Sequence, residues 1–192
     1  ENFVDETKYW IDDGKIDADS SAGDITLKKV GQNYLSSGEL ESSIFDLGTI
    51  VNFVNLIWDP LGQPAETGEN SVRWQIATSN IAEPASWDYL GPDGTPTTFY
   101  DSENISINSI HNSNRYFRYK LFLSTELDAA TPTVSDLMVT YTTACTPPGQ
   151  GYFGGLSAID YTVEVTKTGY QANTQTVSVS EDLIFGAEMV SE

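Results

Sequence analysis

Arg115-Tyr116-Phe117-Arg118-Tyr119-Lys120-Leu121-Phe122-Leu123 is the stretch that decides the fold. Phe117, Tyr119, Leu121 and Leu123 fall on one side, Arg118 and Lys120 on the other. Side chains alternate across a strand, so this is a strand buried on one face and wet on the other; a helix would repeat at about 3.6 residues. The same alternation returns in Ser71 to Ala77, where Val72, Trp74 and Ile76 are separated by Arg73 and Gln75. It returns again in Val134 to Tyr141 through Leu137, Val139 and Tyr141, and strands over Leu40 to Leu47 and Val51 to Trp58 complete the set.

Turn residues punctuate these strands: Asp59-Pro60-Leu61-Gly62, Gly91-Pro92-Asp93-Gly94, Asn112-Ser113-Asn114 and Ala130-Thr131-Pro132. Short strands joined by turns, with no helical period between them, predict antiparallel sheets packed face to face. Residues 36–143 therefore read as a jelly-roll-like β-sandwich. Cys145-Thr146-Pro147-Pro148-Gly149 marks a boundary, because paired prolines lack the backbone donors a central strand needs. Beyond it, Tyr161–Val165, Thr174–Val179 and Leu183–Met189 read as three strands, the first two joined by the turn Lys167-Thr168-Gly169-Tyr170. The fold class is all-β: a jelly-roll/β-sandwich, then a small partial β-sandwich over 144–192. Residues 1–35 form an acidic segment whose short strands, Phe3 to Tyr9 and Asp24 to Lys28, pack on the first sandwich.

Twenty-eight acidic residues against nine basic ones give a net charge of -19. Such a surface repels nucleic acid and anionic lipid, so neither is a partner. Arg115, Arg118 and Lys120 are the one basic cluster, and they read as a solvated strand face making cross-strand ion pairs. No run approaches the roughly 18 apolar residues of a membrane span, so the chain does not itself insert in a membrane. The start Glu1-Asn2-Phe3 reads as a mature or trimmed one, and Asn104-Ile105-Ser106 fits a glycosylation sequon. The localisation expected is extracellular, at the cell surface. A lone Cys145 is then either an interchain disulfide or a buried inert thiol.

Asp12-Asp13-Gly14-Lys15-Ile16-Asp17-Ala18-Asp19 resembles the second half of a calcium loop. Placing Gly14 at the loop's invariant glycine puts Tyr9 and Ile11 where carboxylates belong and Ser20 where a bidentate Glu belongs. A turn of solvated carboxylates is the main reading, with Asp13, Asp17 and Asp19 as the calcium candidates; no other cofactor is expected. His111, the single histidine, reads as a turn residue in Asn108 to Asn114. One His and one Cys cannot build the usual zinc sites, and neither a nucleophile elbow nor a phosphate-binding loop is present. The expectation is a protein that is not an enzyme. Trp58 and Trp74 read as core. Trp87 and Tyr89, in the loop Pro84 to Pro92, are either strand packing or rings that stack on glycans.

Two resemblances bear on function. Tyr161-Thr-Val-Glu-Val-Thr-Lys-Thr-Gly-Tyr170-Gln171 with Gln175-Thr-Val-Ser-Val-Ser180 resembles the C-terminal half of a carboxypeptidase regulatory-like (prealbumin-like) domain, a non-catalytic sandwich. The middle is similar to a jelly-roll module of bacterial surface proteins, some with pilin-like N-termini. The similarity rests on Ser37-Gly38-Glu39-Leu40 with Phe45-Asp46-Leu47-Gly48, on Val72 to Thr78, on Asn114 to Lys120 and on Thr131 to Val134. The second resemblance implies a subunit of a type IV pilin-like filament. A sandwich short of strands exposes unpaired backbone groups that a neighbouring chain can fill. The expected partners are therefore other copies of the chain or a companion pilin-like chain. A carbohydrate-binding or adhesive module that holds glycans through its loop aromatics is the alternative.

Overall fold

The computed structural model describes residues 3–102, 105–143, 157–180, 183 and 185–191. The chain divides into two compact units, Glu1–Cys145 and Thr146–Glu192. Both are built of antiparallel strands, an all-β sandwich fold whose only helical elements among the described residues are 3-10 turns at Glu6–Lys8, Ala65–Thr67 and Ser109–His111. In the first unit the strands are β1 (Tyr9–Asp12), β2 (Ile16–Asp17), β3 (Ile25–Leu27), β4 (Lys29–Val30), β5 (Asn33–Tyr34), β6 (Ser37–Ser42), β7 (Phe45–Asp59), β8 (Val72–Ser79), β9 (Asn114–Ser124), β10 (Thr133–Val134) and β11 (Asp136–Thr143). The second unit holds β12 (Asp160–Val165) and β13 (Asn173–Ser178).

Strand β9, the segment with the clearest alternation, is the spine of the main sheet. Along one side it pairs with β8, from Val72↔Leu123 to Ser79↔Tyr116. Along the other side two strands share its length. β6 takes the C-terminal half, from Ser37↔Ser124 to Glu41↔Lys120, and the start of β7 takes the other half at Phe45↔Phe117 and Asp46↔Tyr116. The expected strand Leu40 to Leu47 is thus broken between Ser42 and Phe45, opposite Arg118 and Tyr119.

Side chains complete the ladder at that break. The Tyr119 N–H donates to Ser42 Oγ at 2.9 Å, and Arg118 Nε and Nη2 donate to the Ser42 carbonyl at 2.7 and 2.5 Å. Arg118 Nη1 lies 2.7 Å from Glu41 Oε1. Ser42 and Arg118 are both buried. A buried guanidinium is tolerated only when its donors are used, and here a carbonyl and a carboxylate take them.

After Asp46 β7 shifts register, meets β9 once more at Val51↔Asn114, and from there pairs with β11, from Val51↔Thr143 to Asp59↔Asp136. It buries Val51, Phe53, Leu56 and Trp58. Phe53 and Leu56 are three residues apart but face Tyr141 and Val139, which are two apart, so one extra residue bulges at Val54–Asn55. Thr140 fills the gap. Its Oγ1 accepts from the Asn55 N–H at 3.0 Å and donates to the Asn55 carbonyl at 3.3 Å. The Trp58 and Trp74 ring centroids are 6.2 Å apart, and those of Phe53 and Phe117 are 5.8 Å apart. The second half of β7 therefore meets β8 and β9 across the core, although its first half is bonded to β9. One strand builds both walls.

The acidic N-terminal segment is part of this unit. β1 extends the main sheet beyond β6, and β2, β3 and β10 form a small sheet in the order β10-β3-β2 that buries Ile16, Ile25, Leu27 and Val134. The strand expected over Phe3 to Tyr9 is a 3-10 turn instead, and strand begins at Tyr9. Phe3 is buried with its ring edge-on to Tyr119, centroids 6.5 Å apart.

In the second unit β12 and β13 form a two-stranded hairpin, in register from Asp160↔Ser178 to Val165↔Asn173. Its turn is the one expected: Gly169 has φ +84°, which only glycine adopts without strain, and the Tyr170 N–H donates to the Lys167 carbonyl at 3.1 Å. The third strand expected over Leu183 to Met189 is absent among the described residues. Glu188 and Val190 instead touch the turn end of the hairpin, through Asn173 Nδ2 to Glu188 O at 2.6 Å and Gln171 N–H to Val190 O at 2.8 Å. Gly186 and Ala187 supply little β-propensity there. Asn104 and Cys145 lie outside the described residues, so the sequon and the proposed interchain disulfide do too.

Replacing Arg118 by Met leaves the Ser42 carbonyl and Glu41 carboxylate without their donor. Urea denaturation of Arg118→Met should show a loss of about 3 kcal/mol with an unchanged m-value. A loss within error of zero refutes the structural weight given to this pair.

Candidate functional site

The polar face of β8 and β9 is not the open surface that alternation predicts. The segment from Pro84 to Phe99 lies over it. Leu90 and Tyr100 each bridge the free edge of β8, at Ile76 and Trp74. Between them Asp93 organises a tight loop, its Oδ1 accepting from Thr95 N–H and Oγ1 (2.8 Å each) and from Thr98 Oγ1 (2.5 Å). The loop packs closely: a Cβ on Gly91 would sit 2.1 Å from the Thr98 carbonyl oxygen. Gln75 is buried beneath, donating to the Pro96 and Thr98 carbonyls at 2.9 Å each.

Trp87 and Tyr89, the loop aromatics singled out for glycans, come down at the seam between β6 and β7. The Arg118 guanidinium carbon lies 5.7 Å from the Trp87 ring centroid, over its face. Both aromatics are half-buried. Burial, with the Glu41 carboxylate beside it, pushes the Tyr89 hydroxyl well above the ordinary phenol range. The structure thus brings Glu41, Trp87, Tyr89 and Arg118 together. Of the basic cluster, Arg115 makes an exposed two-pronged pair with Asp46 (2.6 and 2.8 Å), and Lys120 pairs with Glu39 at 2.9 Å. Arg118 departs from the expected solvated face. The covering loop, invisible to strand periodicity, is the reason.

Of the carboxylates proposed for calcium, Asp13 and Asp17 serve as turn acceptors, beside Asp12. Asp12 Oδ1 accepts from Gly14 N–H at 2.5 Å, and Asp13 binds Lys15 through its N–H at 3.1 Å and its Nζ at 3.2 Å. Asp17 accepts from the Asp19 and Ser20 N–H groups and the Ser20 hydroxyl, and these bonds hold its carboxyl below the usual range. Asp19 contributes only its backbone to this turn. Among the described residues no three His, Cys, Asp or Glu side chains are grouped to hold a metal ion.

His111 is buried in a 3-10 turn, with Nδ1 3.1 Å from Thr78 Oγ1 and, among the described residues, no hydrogen-bond partner for Nε2. The positive φ of this turn stretch belongs to Ser113, at +61°. Burial lowers the His111 pKa to about 4.

The second unit offers an apolar surface. Tyr161, Val163, Val165, Val177 and Val179 are half-exposed on the hairpin, and no described residue from 157 onward is buried. Ile159, Leu183, Phe185 and Val190 are exposed as well. Among the described residues no helix is long and apolar enough to cross a membrane. Comparison with known proteins finds no matching family model, no matching curated protein and no matching solved structure.

The buried histidine makes a pH prediction. The unfolded chain takes up its proton as pH falls below about 6.5, whereas folded His111 stays neutral to about 4. Protonation therefore favours unfolding, and the stability that neutral His111 contributes above pH 6.5 declines as pH drops. Wild type should lose about 2 kcal/mol relative to His111→Gln between pH 7 and pH 5, by urea denaturation at each pH. Parallel profiles for the two proteins contradict the assignment.

Proposed function

We propose that this chain is a non-enzymatic structural subunit of an extracellular, pilus-like filament or cell-surface assembly. Its second unit is joined to a neighbouring chain by β-strand complementation. The observation that carries this reading is the β12–β13 hairpin, two strands with a half-exposed apolar side and no buried residue among those described. A two-stranded hairpin is marginal in water, and three or more strands with an apolar face are needed for independent stability. An added strand supplies main-chain hydrogen bonds to an open edge and covers apolar side chains together. β12 offers that edge: among the described residues β13 is its only ladder partner.

The resemblance of this segment to half of a prealbumin-like sandwich agrees with a domain finished by another chain, whether a second copy or a companion subunit. The non-catalytic part of the proposal draws on the single histidine, held in the core against Thr78. The acidic surface, at -19, suits an exported protein that stays soluble until assembled.

Light scattering after size exclusion, with negative-stain electron microscopy, tests the proposal on the intact chain. Wild type should form oligomers or fibres at micromolar concentration. Val163→Lys, on the apolar side of β12, should remain monomeric while the first unit melts at an unchanged temperature. A monodisperse wild-type monomer whose amides across 157–191 exchange slowly sinks the idea.

A further inference from the structure

The geometry points to a binding site for a neutral, hydroxyl-rich ligand, a saccharide unit, in the cavity of about 540 Å³ beside the end of β7. This site is separate from Trp87 and Tyr89 and does not depend on how the second unit assembles. The volume falls in the range of ligand pockets, roughly 300–1,000 Å³. Trp58, Leu61 and Pro64 give it an apolar wall, and Glu69, Asp101 and Glu126 stand around it with the Asn70 amide.

The wall is built before any ligand arrives. Gln63 spends its whole amide on it: Nε2 donates to the Pro60 and Thr133 carbonyls at 2.6 and 2.9 Å, and Oε1 accepts the Thr133 N–H at 2.8 Å. The Thr67 hydroxyl closes the Ala65–Thr67 turn on the Pro64 carbonyl at 2.7 Å. Backbone bonds from Glu126 N–H to Thr67 O (3.2 Å) and from Leu127 N–H to Glu66 O (3.1 Å) draw the opposite side in. Gly68, at φ +82°, leaves the space that the Glu126 side chain takes, since a Cβ there would lie 2.5 Å from Glu126 Cδ. A preformed site avoids the ordering cost that weakens binding.

The chemistry of the lining selects the ligand. Among the described residues no Lys or Arg lines the cavity, so an anion finds no counter-charge from them. Acceptors outnumber donors, so the ligand must donate. The carboxylates do not converge: among the described residues no three acidic or imidazole groups could share a metal ion. A compact cation needs such a focus, whereas a sugar ring spreads several hydroxyls around its rim. Its C–H face suits the exposed side chains of Leu61 and Pro64, with the buried Trp58 behind them.

Saturation-transfer NMR on the full chain tests this with cellobiose, maltose and lactose as neutral probes, sialyllactose as an anionic probe and putrescine as a cationic one. At least one neutral disaccharide should receive transfer, and none should reach sialyllactose or putrescine. Asp101→Asn changes a half-buried rim side chain and Glu126→Gln an exposed one, and each should weaken that binding about tenfold. Trp87→Ala should bind as wild type does. The proposal is overturned by silence from all three neutral probes, by transfer to putrescine alone, or by rim variants that bind like wild type. Loss of binding in Trp87→Ala alone overturns it too, because the sugar then sits at the other site.

Discussion

The first unit depends on a cation held where two strands meet. Arg118 sits at the point where β9 exchanges β6 for β7, and without a donor there the Ser42 carbonyl would end in a dry gap. Three neighbours fix the guanidinium: the Ser42 carbonyl, the Glu41 carboxylate and the Trp87 ring above. Desolvating a charge costs several kcal/mol, so an arrangement like this adds little net stability compared with an apolar one. What it adds is specificity. A one-residue slip of β6 or β7 along β9 would leave the charge buried and unmatched, and that error is far costlier than an apolar mismatch.

Much of this architecture was legible in the residues. The two-residue spacing in β8 and β9 identified the buried set, but in β11 it holds for Leu137 alone, with Val139 half-buried and Tyr141 exposed; Trp58 and Trp74 are core as their neighbours implied. Gly169 marked its turn correctly. What escaped the sequence shares one physical cause. Alternation reports which side of a strand faces the core but not what else covers the other side. Gln75 and Arg118 therefore read as wet, although a loop from Pro84 to Phe99 buries them. His111 read as an open turn because polar neighbours surround it in sequence, yet its ring is pushed inward against Thr78. The bulge at Asn55 was equally hidden, since Val51 to Trp58 shows only one misplaced step.

The candidate sites divided in a similar way. Trp87 and Tyr89 were found from the sequence because aromatics in a polar loop stand out, and Asp13, Asp17 and Asp19 because carboxylates cluster there. Proximity in the chain produced both signals. The cavity beside β7 draws Trp58, Asp101 and Glu126 from separate segments, so no local pattern could join them. The two units also differ in kind. The first closes an aromatic core, with Trp74 and Tyr119 fully buried and edge-on at 5.5 Å. The second, among its described residues, keeps every side chain at least partly in solvent.

The shared strand β7 has a consequence for how the first unit comes apart. A sandwich whose sheets are separate can lose one and keep the other as a partly ordered species. Here the residues from Phe45 to Val51 hold one wall and those from Val51 to Asp59 hold the other, on an unbroken backbone. Detaching β11 frees the half of β7 that carries Trp58, and Trp74 then loses its neighbour in the opposite wall. Opening is therefore cooperative: the walls melt as one, in a single calorimetric transition with no half-sandwich resting state.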